Sequence, residues 1–212
     1  MTYLGDVVTL ARKDLLLELR VRDTVPAMLL FVVSGLVVFH FALPSGSSEL
    51  AAHGLLWIAI LFTALLGLTR AFVAEREQRL IDGLLLAPCD RSAIWLGKSL
   101  AMLAFLVLAE LVALPAFALF FENVNGTTIA AFALADLGIC AVGTVLAAMA
   151  VAGRARELLL PLLFLPLAIP IVVGGVGASI AEEPARYLGF LAAYDAVFAI
   201  ISWASFEYVV SE

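Results

Sequence analysis

The chain has 212 residues, 64% of them hydrophobic and 14% charged, with a formal net charge of −6 and a mean hydropathy of +1.12. A soluble domain carries about 25% charged residues, and a chain of this size cannot hide so much apolar surface in one core, so lipid has to be the solvent for much of it. The lack of a basic stripe excludes nucleic acid as a partner, and Cys89 and Cys140, outside any CxxC spacing, read as free thiols with no disulfide framework and no metal site.

The first 23 residues are mixed and charged, unlike a cleavable signal peptide. Leu4, Val8, Ala11, Leu15 and Leu19 recur at helical steps, and Arg12, Lys13 and Arg20 lie off that stripe. Residues 1–23 therefore predict an amphipathic helix in the cytoplasmic interface of the membrane. The plainer alternative is a helix packed on the bundle.

Residues 24–212 hold six stretches near the length of about 20 apolar residues that a span needs. They run Val25–Leu43, Ala51–Leu68, Ser99–Phe121, Thr127–Ala152, Leu158–Val176 and Leu188–Val210. The first opens at Pro26, where a missing N–H costs least. Turns at Leu43–Ser48, Glu122–Gly126 and Gly153–Glu157 separate neighbours. Eleven of the twelve Lys and Arg residues fall on alternate segments, leaving only Arg186 on the other side. That asymmetry predicts an all-α polytopic protein of six transmembrane helices with both termini cytoplasmic.

The longest polar stretch is 70–98. Charges cluster at Glu75, Arg76, Glu77 and Arg79, and Leu80, Ile81, Leu84 and Leu85 follow at helical spacing. Gly83 permits close approach of another backbone, Pro88 ends the helix, and Asp90 or Ser92 can cap the next one. A short amphipathic helix of this kind suits docking to a peripheral protein; a solvated loop that reverses the chain is the bland alternative. Gly97-Lys98-Ser99 imitates the end of a phosphate-binding loop, but Ser92 stands where its first glycine belongs and no strand precedes it. Lys98 marks instead the cytoplasmic end of the third span.

Three acids, Glu110, Asp136 and Asp195, fall inside spans. An intramembrane charge costs roughly 2.5–3.5 kcal/mol on insertion scales, so each should face the bundle, a cavity or a partner. They suit a transport path or proton relay, or else neutral acids hydrogen-bonding between helices. Pro115, which frees a backbone carbonyl nearby, makes Glu110 the foremost functional candidate. His40 and His53 lie near the outer ends of the first two spans. Axial ligation of haem iron is one role for such imidazoles, and hydrogen bonding to headgroups or water is the common one. Pro161, Pro166 and Pro170 in the fifth span, followed by Gly174, Gly175 and Gly177, predict a bent helix. Broken helices line substrate paths in some transporters. No HExxH or GxSxG motif is present, so no catalytic residue is assigned.

Several blocks together resemble the haem exporter protein B family, the permease subunit of the cytochrome c maturation ABC transporter. They are Lys13-Asp-Leu-Leu-Leu-Glu-Leu-Arg20, Gly54-Leu-Leu-Trp57, Glu75-Arg-Glu77, Gly83-Leu-Leu-Leu-Ala-Pro88, Asp90-Arg-Ser-Ala-Ile94, Leu96-Gly-Lys98, Glu110-Leu-Val-Ala-Leu-Pro115, Arg154-Ala-Arg-Glu-Leu-Leu-Leu-Pro161 and Phe206-Glu-Tyr-Val209. The resemblance implies an export-type ABC permease in the bacterial inner membrane, with haem as cargo and ATP bound by a separate cytoplasmic ATPase subunit. It implies two copies of this chain per complex, alongside other cytochrome c maturation membrane proteins and a periplasmic haem chaperone. Glu75, Arg76, Glu77, Arg79, Gly83, Leu84, Leu85, Pro88 and Arg91 then become the coupling helix that receives the ATPase stroke. ATP hydrolysis would drive either haem export or release of the haem-loaded chaperone. The rivals are a proton-coupled secondary transporter built on the intramembrane acids and a scaffold for haem-handling partners.

Overall fold

The computed structural model describes residues 3–44, 48–72, 89–152 and 156–211, with no account of the side chains of 151–152, 156–157 and 210–211. Among the described residues α-helix is the regular structure, joined by short connections. Helix α1 spans Tyr3–Val21, α2 Thr24–Ala42, α3 Glu49–Arg70, α4 Arg91–Phe120, α5 Gly126–Ala152, α6 Arg156–Ile180 and α7 Pro184–Ser211. Six of these, α2 to α7, are long and apolar enough to cross a membrane. Large apolar side chains such as Leu30, Phe41, Leu119, Leu162, Ile200 and Trp203 are exposed on the outside. Without lipid around them these would form an aggregating surface. The chain is an all-α polytopic membrane protein.

Cross-helix contacts set the two ends of the bundle. Arg70 at the end of α3 reaches Asp23 before α2, and the Arg91 guanidinium at the start of α4 lies 3.4 Å from the Glu207 carbonyl late in α7. At the opposite end His40 of α2 meets the Phe120 carbonyl of α4, and the Asn125 amide donates to the Ser179 carbonyl of α6. The spans thus alternate in direction, as six successive crossings must.

Helix starts follow the expected chemistry. Ser48 accepts from the Ala51 N–H at α3, Asn125 Oδ1 accepts from the Thr128 N–H at 2.7 Å, and Asp90 accepts from the Ser92 N–H at 2.9 Å. Each satisfies a donor that the first turn leaves orphaned. Because Asp90 caps α4, that helix begins well before the expected Ser99, and Lys98 lies inside it, buried. Helix α6 runs unbroken through Pro161, Pro166 and Pro170. Near Pro170, where the ring loosens the ladder, the Leu167 carbonyl accepts from Tyr194 Oη of α7 at 2.7 Å.

Helix α5 is the most enclosed span. Small residues line it, Ala131, Ala135, Gly138, Gly143, Ala147 and Ala148 among them, and α3, α4, α6 and α7 pack around it. Close backbone approach is the means of membrane-helix packing, since lipid gives no hydrophobic drive between helices. Trp57 of α3 stacks on Phe132 of α5 with centroids 4.1 Å apart, and its Nε1–H donates to Ser179 Oγ of α6. Three helices are thereby fixed by one indole.

Candidate functional site

The segment expected to dock a partner has its core outside the described residues: Glu75, Arg76, Glu77, Arg79, Gly83, Leu84, Leu85 and Pro88 all lie there. Both of its roots are described, and they enter one polar junction. On one side Ala71 and Phe72 follow α3; on the other Cys89 and Asp90 precede α4. Lys98 Nζ donates to the Ala71 carbonyl at 2.7 Å and lies 4.7 Å from the centroid of the Phe72 ring. The same ammonium pairs with Asp14 Oδ2 of α1 at 3.0 Å. Asp14 also pairs with Lys13 at 3.1 Å. A buried ammonium needs such partners, because an uncompensated charge in a dry site costs several kcal/mol, roughly.

Helix α1 completes the junction. Val7 and Ala11 are buried, and α1 crosses α4 at Gly97, where an added Cβ would lie 2.8 Å from Leu10 Cβ and 3.2 Å from the Val7 carbonyl. Only a glycine lets the two backbones come this near. Tyr3 Oη lies 3.1 Å from Ser92 Oγ of α4 and donates to it, because the Ser92 proton goes to Asp90 Oδ1. Arg22 turns the chain with φ of 56°. Glu18 Oε1 then accepts from the N–H groups of Thr24 and Val25 at 2.9 and 2.8 Å. Asp23 in the N-cap position of α2 makes no such bond, so the cap comes from the preceding helix. Leu4, Val8 and Leu19 stay exposed on α1. The helix therefore carries two apolar faces, one on α4 and one facing outward.

At the start of α4, Asp90 is held below the usual carboxylate range by hydrogen bonds from the Ser92 hydroxyl and then the Ser92 N–H. The Cys89 thiol is pushed up by burial, and further by the charges of Asp6 and Asp90.

The intramembrane acids do not form one cluster. Glu110 of α4 and Asp136 of α5 approach each other across the helix interface. Both are buried, Asp136 to 1% exposure. Glu110 Oε1 and both Asp136 oxygens stop short of hydrogen-bond geometry. Asp195 of α7 lies on another side of α5, against Gly138, where an added Cβ would meet its Oδ1 at 2.5 Å. Positions 136 and 138 are about 160° apart around a helix, so Asp195 is separate from the pair. Nearer the α4 start, Ser99 Oγ bonds Thr144 Oγ1 at 3.1 Å, and Trp95 Nε1 donates to the Ala141 carbonyl at 3.2 Å.

The two histidines occupy different settings. His40 is exposed, with Nδ1 2.9 Å from the Phe120 carbonyl. His53 is buried, with Nδ1 3.1 Å from the Glu49 carbonyl of its own helix and no partner for Nε2. A run of ring contacts joins them, from His53 to Phe117 at 5.3 Å, Phe117 to Phe121 at 5.1 Å and Phe121 to His40 at 5.7 Å. Among the described residues no group of three or more His, Cys, Asp or Glu side chains could hold a metal ion.

Residues 6–208 match the family described as CcmB protein. This chain belongs to the CcmB family. Its curated relatives carry the name heme exporter protein B. That of Bradyrhizobium diazoefficiens is 31% identical over 176 residues, covering 80% of this chain and 79% of the relative. That of Paracoccus denitrificans is 30% identical over 169 residues, covering 76% and 78%. That of Rhodobacter capsulatus is 34% identical over 133 residues, 58% of each. The match spans α1 to α7 in order, so it takes in the junction, the buried acids and both histidines of this CcmB-family member.

The Asp14–Lys98 pair and the Glu18 cap were not among the expected site residues. The visible signal for the first was a lysine inside an apolar helix, read from sequence as a membrane-end marker. The second left no signal, because Glu18 precedes its target by a turn whose shape the sequence does not specify.

Proposed function

We propose that this chain is the membrane permease subunit of a haem-export ABC complex, moved by a separate cytoplasmic ATPase. The name of its relatives supports haem as the cargo class. The basic residues of the junction end, Lys13, Arg70, Arg91 and Lys98 among them, support a cytoplasmic placement for that end and hence an inner-membrane protein with cytoplasmic termini. The exposed Leu4, Val8 and Leu19 edge of α1 then lies in the inner-leaflet interface, while its other face holds α4.

The observation that carries the coupling reading is the junction at the roots of 73–88. Lys98 binds the C-cap of α3 through the Ala71 carbonyl, belongs to α4, and pairs with α1 through Asp14. A displacement of the intervening segment would reach three helices together through packed, hydrogen-bonded contacts, which transmit as rigid units. Arg76 and Arg79 supply the charges that orient a docked ATPase. Six spans make one half of an ABC permease, so two copies per complex follow, with further cytochrome c maturation proteins and a periplasmic haem chaperone as partners. ATP turnover drives either haem export or release of the loaded chaperone.

The test is affinity purification in mild detergent with assay of ATP turnover. A bound ATPase whose association is lost in Arg76→Glu/Arg79→Glu supports the reading. Equal recovery of the ATPase with that variant removes the docking role, and no nucleotide-binding partner in any detergent removes the ABC assignment.

A further inference from the structure

His40 and His53 share one feature: each has Nδ1 within hydrogen-bond distance of a backbone carbonyl. A carbonyl can only accept, so Nδ1 carries the proton, and in the neutral ring Nε2 keeps its lone pair. A backbone carbonyl on Nδ1 is also the arrangement that orients metal-ligating histidines and raises their basicity. In His53 that lone pair is enclosed and out of reach of any large ligand. In His40 the side chain is exposed.

The surroundings of His40 are aromatic. Phe120 lies 5.2 Å away at a 38° tilt, and Phe41 and Phe121 stand edge-on at 5.3 and 5.7 Å. Phe41 is 83% exposed. Behind this wall Phe117 stacks on Phe121, and buried His53 packs against Phe117. The platform is thus anchored into the bundle by α3.

The kind of metal follows from ligand counting. A bare zinc ion needs three or four protein ligands, and no group of even three candidate side chains occurs among the described residues. Haem iron arrives with four porphyrin nitrogens and needs one axial donor. One accessible imidazole amid aromatic rings suits that ligand, since a flat, largely apolar macrocycle gains by stacking and by leaving water.

We infer that His40 Nε2 is an axial ligand for haem iron at the α2–α4 corner, with Phe41, Phe120 and Phe121 as the apolar rim against which the porphyrin edge packs. His53 is a support for that rim and not a second ligand. The inference rests on the haem-export reading and assigns its cargo a contact at the end of the bundle away from the junction.

The experiment titrates the purified full-length chain in detergent with haemin and follows the Soret band, with empty micelles as control. The wild type is expected to give a saturable, imidazole-ligated spectrum. His40→Ala should weaken binding by at least about tenfold, the lower bound for losing even a second-shell partner of a metal ligand. His53→Ala should keep the ligation spectrum. His40→Gly supplied with free imidazole should regain it, which shows that the loss is of a ligand and not of the fold. Equal affinity and spectrum in His40→Ala, no recovery with imidazole, or the same spectrum from empty micelles overturns the proposal. Cytochrome c maturation in cells separates the two readings. If deleting the chain abolishes it and His40→Ala restores it in full, the His40 contact is wrong and the export reading stands. If deletion changes nothing, the export reading itself fails.

Discussion

Lys98 Nζ lies 3.0 Å from Asp14 Oδ2, with the two side chains only 5% and 12% exposed. The pair joins the N-terminal helix to a transmembrane span beside the last turn of another. Its burial makes each charge depend on the other. Removing one partner from a buried pair costs about 3–5 kcal/mol, whereas replacing both with apolar groups is often neutral. Lys98→Met and Asp14→Asn should each lower the thermal midpoint in detergent by several degrees. The double variant Asp14→Leu/Lys98→Met should lie above either single one. Single variants as stable as the wild type would show the pair to be incidental.

The Gly97 crossing predicts a steric effect on the same contact. An alanine there would press on Leu10 Cβ and the Val7 carbonyl, and overpacking of this kind costs about 1–3 kcal/mol. Gly97→Val should loosen α1 from α4, read as faster limited proteolysis within residues 3–21 while α2 to α7 stay protected. Unchanged cleavage would mean that α1 is not held by this crossing.

Glu18 supplies the cap that Asp23 does not. Loss of an N-cap side chain costs about 1 kcal/mol. Glu18→Ala should therefore destabilise the chain modestly, and Glu18→Gln, which keeps an acceptor oxygen, should recover most of the loss. Chemical denaturation in mixed micelles measures both. Equal stability of Glu18→Ala and the wild type would deny the cap.

Cys89 is raised by burial first, and by Asp6 and Asp90 second. Alkylation needs the thiolate, so labelling of Cys89 by iodoacetamide should be slow at pH 7 and rise through and beyond the ordinary thiol range. Neutralising its neighbours in Asp6→Asn or Asp90→Asn removes a like charge and should shift the rate profile toward lower pH. Asp90 itself is depressed, so its capping contribution is present above the ordinary carboxylate value and is lost as pH falls through the lower folded value. A rate profile identical in all three proteins would remove the electrostatic part of this account.

Glu110 and Asp136 separate the export reading from a gradient-driven one. In an ATP-driven permease the pair is an interhelical contact, and the near-isosteric Glu110→Gln and Asp136→Asn should leave ATPase association and haem delivery near wild-type levels. A proton-coupled transporter needs a titrating group at mid-membrane, and either substitution would abolish its activity. Loss of haem delivery with ATPase binding intact would favour the second mechanism.

Much of the fold is legible in the sequence because it depends on local sums. Hydropathy over about 20 residues sets a span, and Lys and Arg counts in short segments distinguish the two ends. That is why the six spans were found within a few residues, except at α4. There the Asp90 cap sets the start, and Lys98, read from sequence as a boundary, is inside the helix. The segment expected to dock a partner reads as an amphipathic run in the sequence, and its charged core lies outside the described residues.

Helix rotation is not a local sum. Helices α2 and α5 are apolar nearly all round, so periodicity says little about which face turns inward. By itself the sequence determined that this chain spans a membrane six times, with its basic segments gathered at one end. Tertiary structure decided which polar groups meet: Asp14 with Lys98, Glu18 with the start of α2, Glu110 with Asp136 but not Asp195, and His40 with the Phe120 carbonyl. The physical reason is that small residues on α5 and Gly97 on α4 set how closely helices approach and hence how each is turned. A polar side chain in an apolar medium then pairs with whatever that rotation brings within reach.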